Sequence, residues 1–86
     1  MLLHNMTADG TTGGSQLGGP RDMQVRGDFG GGTLSVELSF DGIAFGEGYS
    51  LTAPDVIKLD IDAEFVVRFV LTGSTSPNID IIQADD

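Results

Sequence analysis

Cysteine and tryptophan are absent from this 86-residue sequence, and histidine and tyrosine occur once each. Without cysteine there is no disulfide and no thiolate metal ligand, so packing or partners must stabilise the fold. Nucleophilic catalysis loses its usual means too, because the sole histidine, His4, lies in the opening segment away from any rigid constellation. Basic residues are scarce: Arg21, Arg26, Lys58 and Arg68 are scattered among thirteen acids, and the formal net charge is −9. Phosphate neutralisation needs a basic patch, so nucleic acid is excluded as a partner, and an anionic membrane surface with it. No stretch approaches a membrane span. The opening "MLLHNMTADG" has neither the basic segment nor the apolar core of a signal peptide, and the expectation is a soluble chain made in the cytoplasm.

A chain of this length makes one domain with a small core. Residues 7 to 21, "TADGTTGGSQLGGPR", hold five glycines and a proline, with Leu17 the only large apolar side chain. Ordering such a stretch costs much entropy and buries little, so residues 1–21 are expected to form an extended glycine-rich arm. Leu2, Leu3 and Met6 would anchor it on another chain; the alternative is that it packs on its own domain.

From residue 23 the pattern takes a period of two. Met23, Val25 and Phe29 alternate with Gln24, Arg26 and Asp28, and Leu34, Val36, Leu38 and Phe40 with Thr33, Ser35, Glu37 and Ser39. Asp41-Gly42 reads as a tight hairpin turn returning through Ile43, Ala44 and Phe45, with a bulge or wide loop at Gly46 and Gly48. Further strands follow at Val56–Ile61, Phe65–Thr72 and Ile79–Ile82, the second of them apolar on both faces. No helical spacing persists over a helix length. The expected fold is all-β: a small antiparallel β-sandwich or jelly-roll-like domain over residues 22–86, behind the N-terminal arm.

The glycine triplet Gly30-Gly31-Gly32 stands between two strands and lacks the lysine and hydroxyl residue of a phosphate loop, so it reads as a corner between strands. Arg26-Gly27-Asp28 falls inside an alternating strand, where an adhesion tripeptide is out of place. Asp60, Asp62 and Glu64 offer oxygens to a hard cation but no EF-hand glycine accompanies them; alternating acids on a strand form a solvated face, or a rim for a basic partner. No metal, no cofactor and no enzymatic activity are expected. Phe40 and Phe45 are expected to pack across the hairpin, leaving Tyr49 as the one aromatic free for a sugar.

Thr33 to Gly42, Val56 to Ile61, and Val67 to Gly73 with Pro77 resemble a group of short tailed-phage virion proteins. The shared pattern is a glycine-rich approach, a strand ending in an Asp-Gly turn, and a "VR-x-V-L-x-G" strand followed by a proline loop. The tryptophan that often follows the Asp-Gly turn in that group is absent here. The resemblance implies a capsid decoration or cement protein, a homotrimer on the outer surface of the head that bridges neighbouring major capsid proteins. Val66, Val70 and Ile82 would then lie between protomers, while Leu2, Leu3, Met6 and Leu17 dock the arm. A tail or head–tail connector component and a carbohydrate- or host-binding module are the alternatives.

Overall fold

The computed structural model describes residues 2–84. Among the described residues nine strands follow in chain order: β1 (Leu2–Met6), β2 (Gly10–Thr11), β3 (Ser15–Gly18), β4 (Arg21–Asp28), β5 (Thr33–Ser39), β6 (Gly46–Leu51), β7 (Asp55–Leu59), β8 (Glu64–Thr72) and β9 (Asn78–Gln83). They form two antiparallel sheets, one ordered β1-β9-β4-β7 and the other β2-β8-β5-β6, with β3 also paired to β8. This is the expected β-sandwich.

The period-two pattern sets which side chains meet between the sheets. From the first sheet come Met6, Met23, Val25, Ile57, Leu59, Ile79 and Ile81; from the second, Leu34, Val36, Phe65, Val67, Phe69 and Leu71, all buried. In-register rows such as Leu71, Leu34 and Leu51 run across the second sheet. The opposite residues of β8, Val66, Arg68 and Val70, face outward and are half-buried.

The extended arm expected over residues 1–21 is not what the chain forms. Residues 2–18 supply β1 on the free edge of β9, and β2 and β3 on the free edge of β8. The radius of gyration, 12.1 Å, matches the roughly 12 Å of a fully packed chain of this length, so none of the described segments trails away. Composition misleads here because edge pairing uses the backbone: the open edges of β9 and β8 offer ladder hydrogen bonds to any extended segment, glycine-rich or not. Met6 enters the core at 7 % exposure, and Leu3 and Leu17 pack against it. Met1 of the expected arm, and residues 85–86 of the expected body, lie outside the described residues.

The glycine triplet is the corner that carries the chain from one sheet to the other. Gly30 and Gly31 have φ of +58° and +78°, and the Gly32 amide donates to the Phe29 carbonyl at 2.9 Å. The Gly30 amide is already taken by the Asp28 carboxylate at 2.8 Å. A Cβ on Gly30 would stand 2.2 Å from the Thr75 carbonyl oxygen, so the corner is packed against the β8–β9 connection. An anion cradle needs several free amides, and those of Gly30 and Gly32 are spent.

Between β5 and β6 the two-residue hairpin is replaced by a six-residue connection, 40–45, and the return strand starts only at Gly46. The bulge is where the glycines suggested it: pairing slips between Val36–Tyr49 and Glu37–Glu47, leaving Gly48 extra.

Candidate interaction surface

Strand directions divide the connections between two ends of the sandwich. Residues 7–9, 29–32, 52–54 and 73–77 lie at one end; residues 19–20, 40–45 and 60–63 lie at the other, together with both termini of the described chain.

At the first end the loops bond to one another. Asp9 accepts hydrogen bonds from the Gly73 and Ser74 amides, each at 3.1 Å, and from the Ser74 hydroxyl. The Ser74 hydroxyl, then the Ser74 and Gly73 amides, hold the Asp9 carboxyl below its ordinary pKa. The Thr75 amide donates to the Gly30 carbonyl at 2.9 Å, and the Asn5 amide group donates to Asn78 at 3.0 Å and Asp80 at 2.8 Å.

At the second end the connection 40–45 is held from within. Its Asp41 carboxylate accepts from the Ile43 amide at 2.8 Å, the Ala44 amide at 3.1 Å and the Ser39 hydroxyl at 2.8 Å. Ser39 is buried, and its hydroxyl in turn accepts from the Gly42 amide at 2.9 Å. The backbone amides of Ile43 and Ala44, then Ser39, lower the Asp41 pKa to about 2. This side-chain-to-backbone capping fixes the loop without help from other loops. Phe45 closes it: the Arg68 guanidinium sits 4.0 Å from the centre of its ring, and Arg68 also bonds Glu37. With the polar groups turned inward, Phe40 and Ile43 project into solvent at 74 % and 85 % exposure.

The structure scatters the seven residues expected to bind partners. Met6, Leu3 and Leu17 are taken up by the chain's own core, so they do not anchor an arm on a neighbour. Val66 is overlaid by its own chain: a Cβ on Gly14 would touch its Cγ1 at 2.8 Å, and one on Gly42 its Cγ2 at 3.8 Å. Val70 lies on the outer face of the second sheet between Thr11 and Ser35. Leu2 and Ile82 do come together, as register partners on the outer face of the first sheet. Gln24 and Val56 continue that row, beside a shallow depression of about 380 Å³ lined also by Asp22, Met23 and Ala84.

Other candidate groups are placed as follows. Tyr49, 38 % exposed, sits in β6 at the sandwich edge, and its hydroxyl donates to the Lys58 carbonyl of β7 at 2.9 Å, bridging the sheets. Phe40 and Phe45 do not pair across a hairpin, because the strand ends at Ser39 and Phe40 leaves the sheet. His4 lies edge-on to Phe69 with ring centres 5.6 Å apart; its Nε2 is buried without a hydrogen bond, and burial lowers its pKa. Asp60, Asp62 and Glu64 are exposed, and among the described residues no three His, Asp or Glu side chains group to hold a metal ion. Arg26 of the RGD tripeptide is within β4, 3.8 Å from Asp80.

Phe40 and Ile43 were outside the expected partner-binding set. The signal for them is the run Ser39-Phe40-Asp41-Gly42-Ile43, in which serine and aspartate can cap the loop amides and leave the interleaved apolar side chains with nowhere to go but outward.

No family model, curated protein or solved structure matches this chain.

Proposed function

We propose that this chain is a structural assembly protein and not an enzyme: a virion component that decorates a phage head and bridges neighbouring major capsid proteins from the outer surface. The observation that carries this reading is the loop 40–45, which holds two large apolar side chains in solvent on a shape already fixed by Ser39 and Asp41. Fixing a loop in advance lowers the entropy lost on docking, so a projecting apolar pair on a rigid base is well suited to bind a protein surface. The likeness of Thr33–Gly42, Val56–Ile61 and Val67–Gly73 to phage virion proteins supports the assignment to a particle. Those stretches contribute to β5, which leads into the loop, to β8, its neighbour in the second sheet, and to β7 of the first sheet. Attachment through an N-terminal arm is no part of the proposal, because residues 2–18 belong to the sandwich. On a symmetric shell, many copies with small contacts hold tightly through effective concentration, and a trimer around a local threefold position would present three such loops at once.

Quantitative mass spectrometry and cryo-electron microscopy of purified particles test this. The expected result is a copy number proportional to that of the major capsid protein, with density on the outside of the head. A copy number matching a single ring would instead assign the chain to the tail or connector. Absence from the particle would overturn the virion reading altogether.

A further inference from the structure

The loop 40–45 shares its end of the sandwich with the most acidic stretch of the chain. Ser39 is opposite Val66 in the β5–β8 ladder, and β8 begins two residues earlier at Glu64. The connection leading into it, 60–63, therefore emerges beside the loop. The three connections at this end, 19–20, 40–45 and 60–63, contain Asp41, Asp60 and Asp62 and no basic residue; of the arginines that flank them, Arg21 donates to the Gly18 carbonyl, and Arg68 lies against Phe45 and bonds Glu37. All three aspartates are exposed, but the Asp41 carboxylate is engaged by its own loop. Glu64 is exposed too, within 3.5 Å of the Gln16 amide group. Apolar anchors at the centre with charge beside them is the arrangement of a protein-binding hot spot and its rim.

We propose that this end docks as a unit on a protein partner: Phe40 and Ile43 enter an apolar socket whose border carries lysine or arginine opposite Asp60, Asp62 and Glu64. The inference rests on the assembly reading and gives the chemistry of the contact. Charge selects among occupants. A second copy presenting the same end would bring aspartates against aspartates, and an anionic bilayer would be repelled in the same way. A basic border on a protein answers the acids and steers the encounter, while the apolar pair supplies most of the strength.

Heads purified from particles that carry this chain, stripped of it, are the probe, and rebinding is followed by surface plasmon resonance at several salt concentrations. The variant combining Phe40→Ser and Ile43→Ser is expected to rebind at least about a hundredfold more weakly than the parent. Its thermal melt should be unchanged, since both side chains are exposed. The variant combining Asp60→Asn and Asp62→Asn is expected to associate several-fold more slowly and to lose part of the salt dependence. If the parent rebinds and the serine variant matches it within about threefold, the inference falls and the assembly reading stands. Faster association of the asparagine variant overturns the basic border. Failure of the parent itself to rebind overturns both readings. Binding of the parent to phosphatidylcholine vesicles, lost in the serine variant, would overturn the protein partner in favour of a bilayer.

Discussion

Both ends of the sandwich reverse the chain through short polar connections, yet one end is bound to itself and the other presents apolar side chains. At the glycine end, stretches far apart in sequence satisfy one another: Asp9 caps the Gly73 and Ser74 amides, and Thr75 donates to Gly30. At the opposite end, Ser39 and Asp41 satisfy residues 40–45 locally. A connection whose amides depend on other loops cannot change without disturbing them. One capped from within keeps its shape while its apolar residues remain available to another molecule. The first arrangement supports the fold; the second costs the fold little and leaves apolar side chains open to a contact.

The most severe way to probe this contrast is to remove residues 1–18, which deletes Asp9 along with β1, β2 and β3. Loss of a cooperative melt is expected, because β9 and β8 become open edges and Met6 and Leu17 leave the core. A truncated chain that melts cooperatively within a few degrees of the parent would show that the segment is an accessory arm after all.

Next in size is Gly30→Ala. It places a Cβ 2.2 Å from the Thr75 carbonyl oxygen at a positive φ, and should cost on the order of 3 kcal/mol. Gly31→Ala meets no neighbour within 4 Å and should cost only the left-handed backbone penalty, about 1–2 kcal/mol. Chemical denaturation of the two variants separates collision from conformation. Equal losses would mean that the corner is not packed against the β8–β9 connection.

Tyr49→Phe removes one hydroxyl from the bridge between the sheets and should lower stability by about 0.5–1.5 kcal/mol, read from the denaturation midpoint at unchanged slope.

Acid titration separates the two ends more finely. The Asp41 pKa in the fold, about 2, is below its ordinary value of 3.8, so its contribution is complete above that value and is lost as pH falls toward about 2. Asp41→Asn keeps an acceptor oxygen but cannot titrate, and its stability should decline less steeply across that window. Asp9 is depressed in the same direction, and Asp9→Asn provides the same comparison at the glycine end. Urea melts repeated across that window give both slopes; an Asp41→Asn slope as steep as the parent's would mean that the loop is not held by the ionised carboxylate.

The smallest effect on the fold belongs to the exposed pair. Phe40→Ser with Ile43→Ser should change stability by no more than about 0.5 kcal/mol. A larger loss would place these side chains in the structure's own support and blur the distinction between the ends.

Most of the body was legible from the alternation of apolar residues, because burying one face of a strand requires it. Leu34 and Val36 read as one apolar face and are buried; the 65–72 strand, apolar on both faces in sequence, buries Phe65, Val67, Phe69 and Leu71. The glycine corner was legible because Gly30 and Gly31 take a positive φ that few other residues tolerate, and the Gly48 bulge because a glycine interrupts the strand pattern there. The first three strands were not, since edge pairing is a property of backbone and neighbour and leaves little mark on side chains. Phe40 was misread for a related reason: it extends the alternation of β5 by one step, and only the capping of Asp41 ends the strand at Ser39.

The order of residues by itself determined that this protein is all-β, without cysteine chemistry, strongly acidic, and turned at its glycines. These are consequences of side-chain period, composition and local φ preference, each settled within a few residues. Only the tertiary structure decided that the opening segment closes both sheets, that Tyr49 joins them, and that Phe40 and Ile43 stand together at an acidic end. Those outcomes depend on which distant backbone edges and polar groups are open when the sheets meet, and short-range pattern carries no record of that.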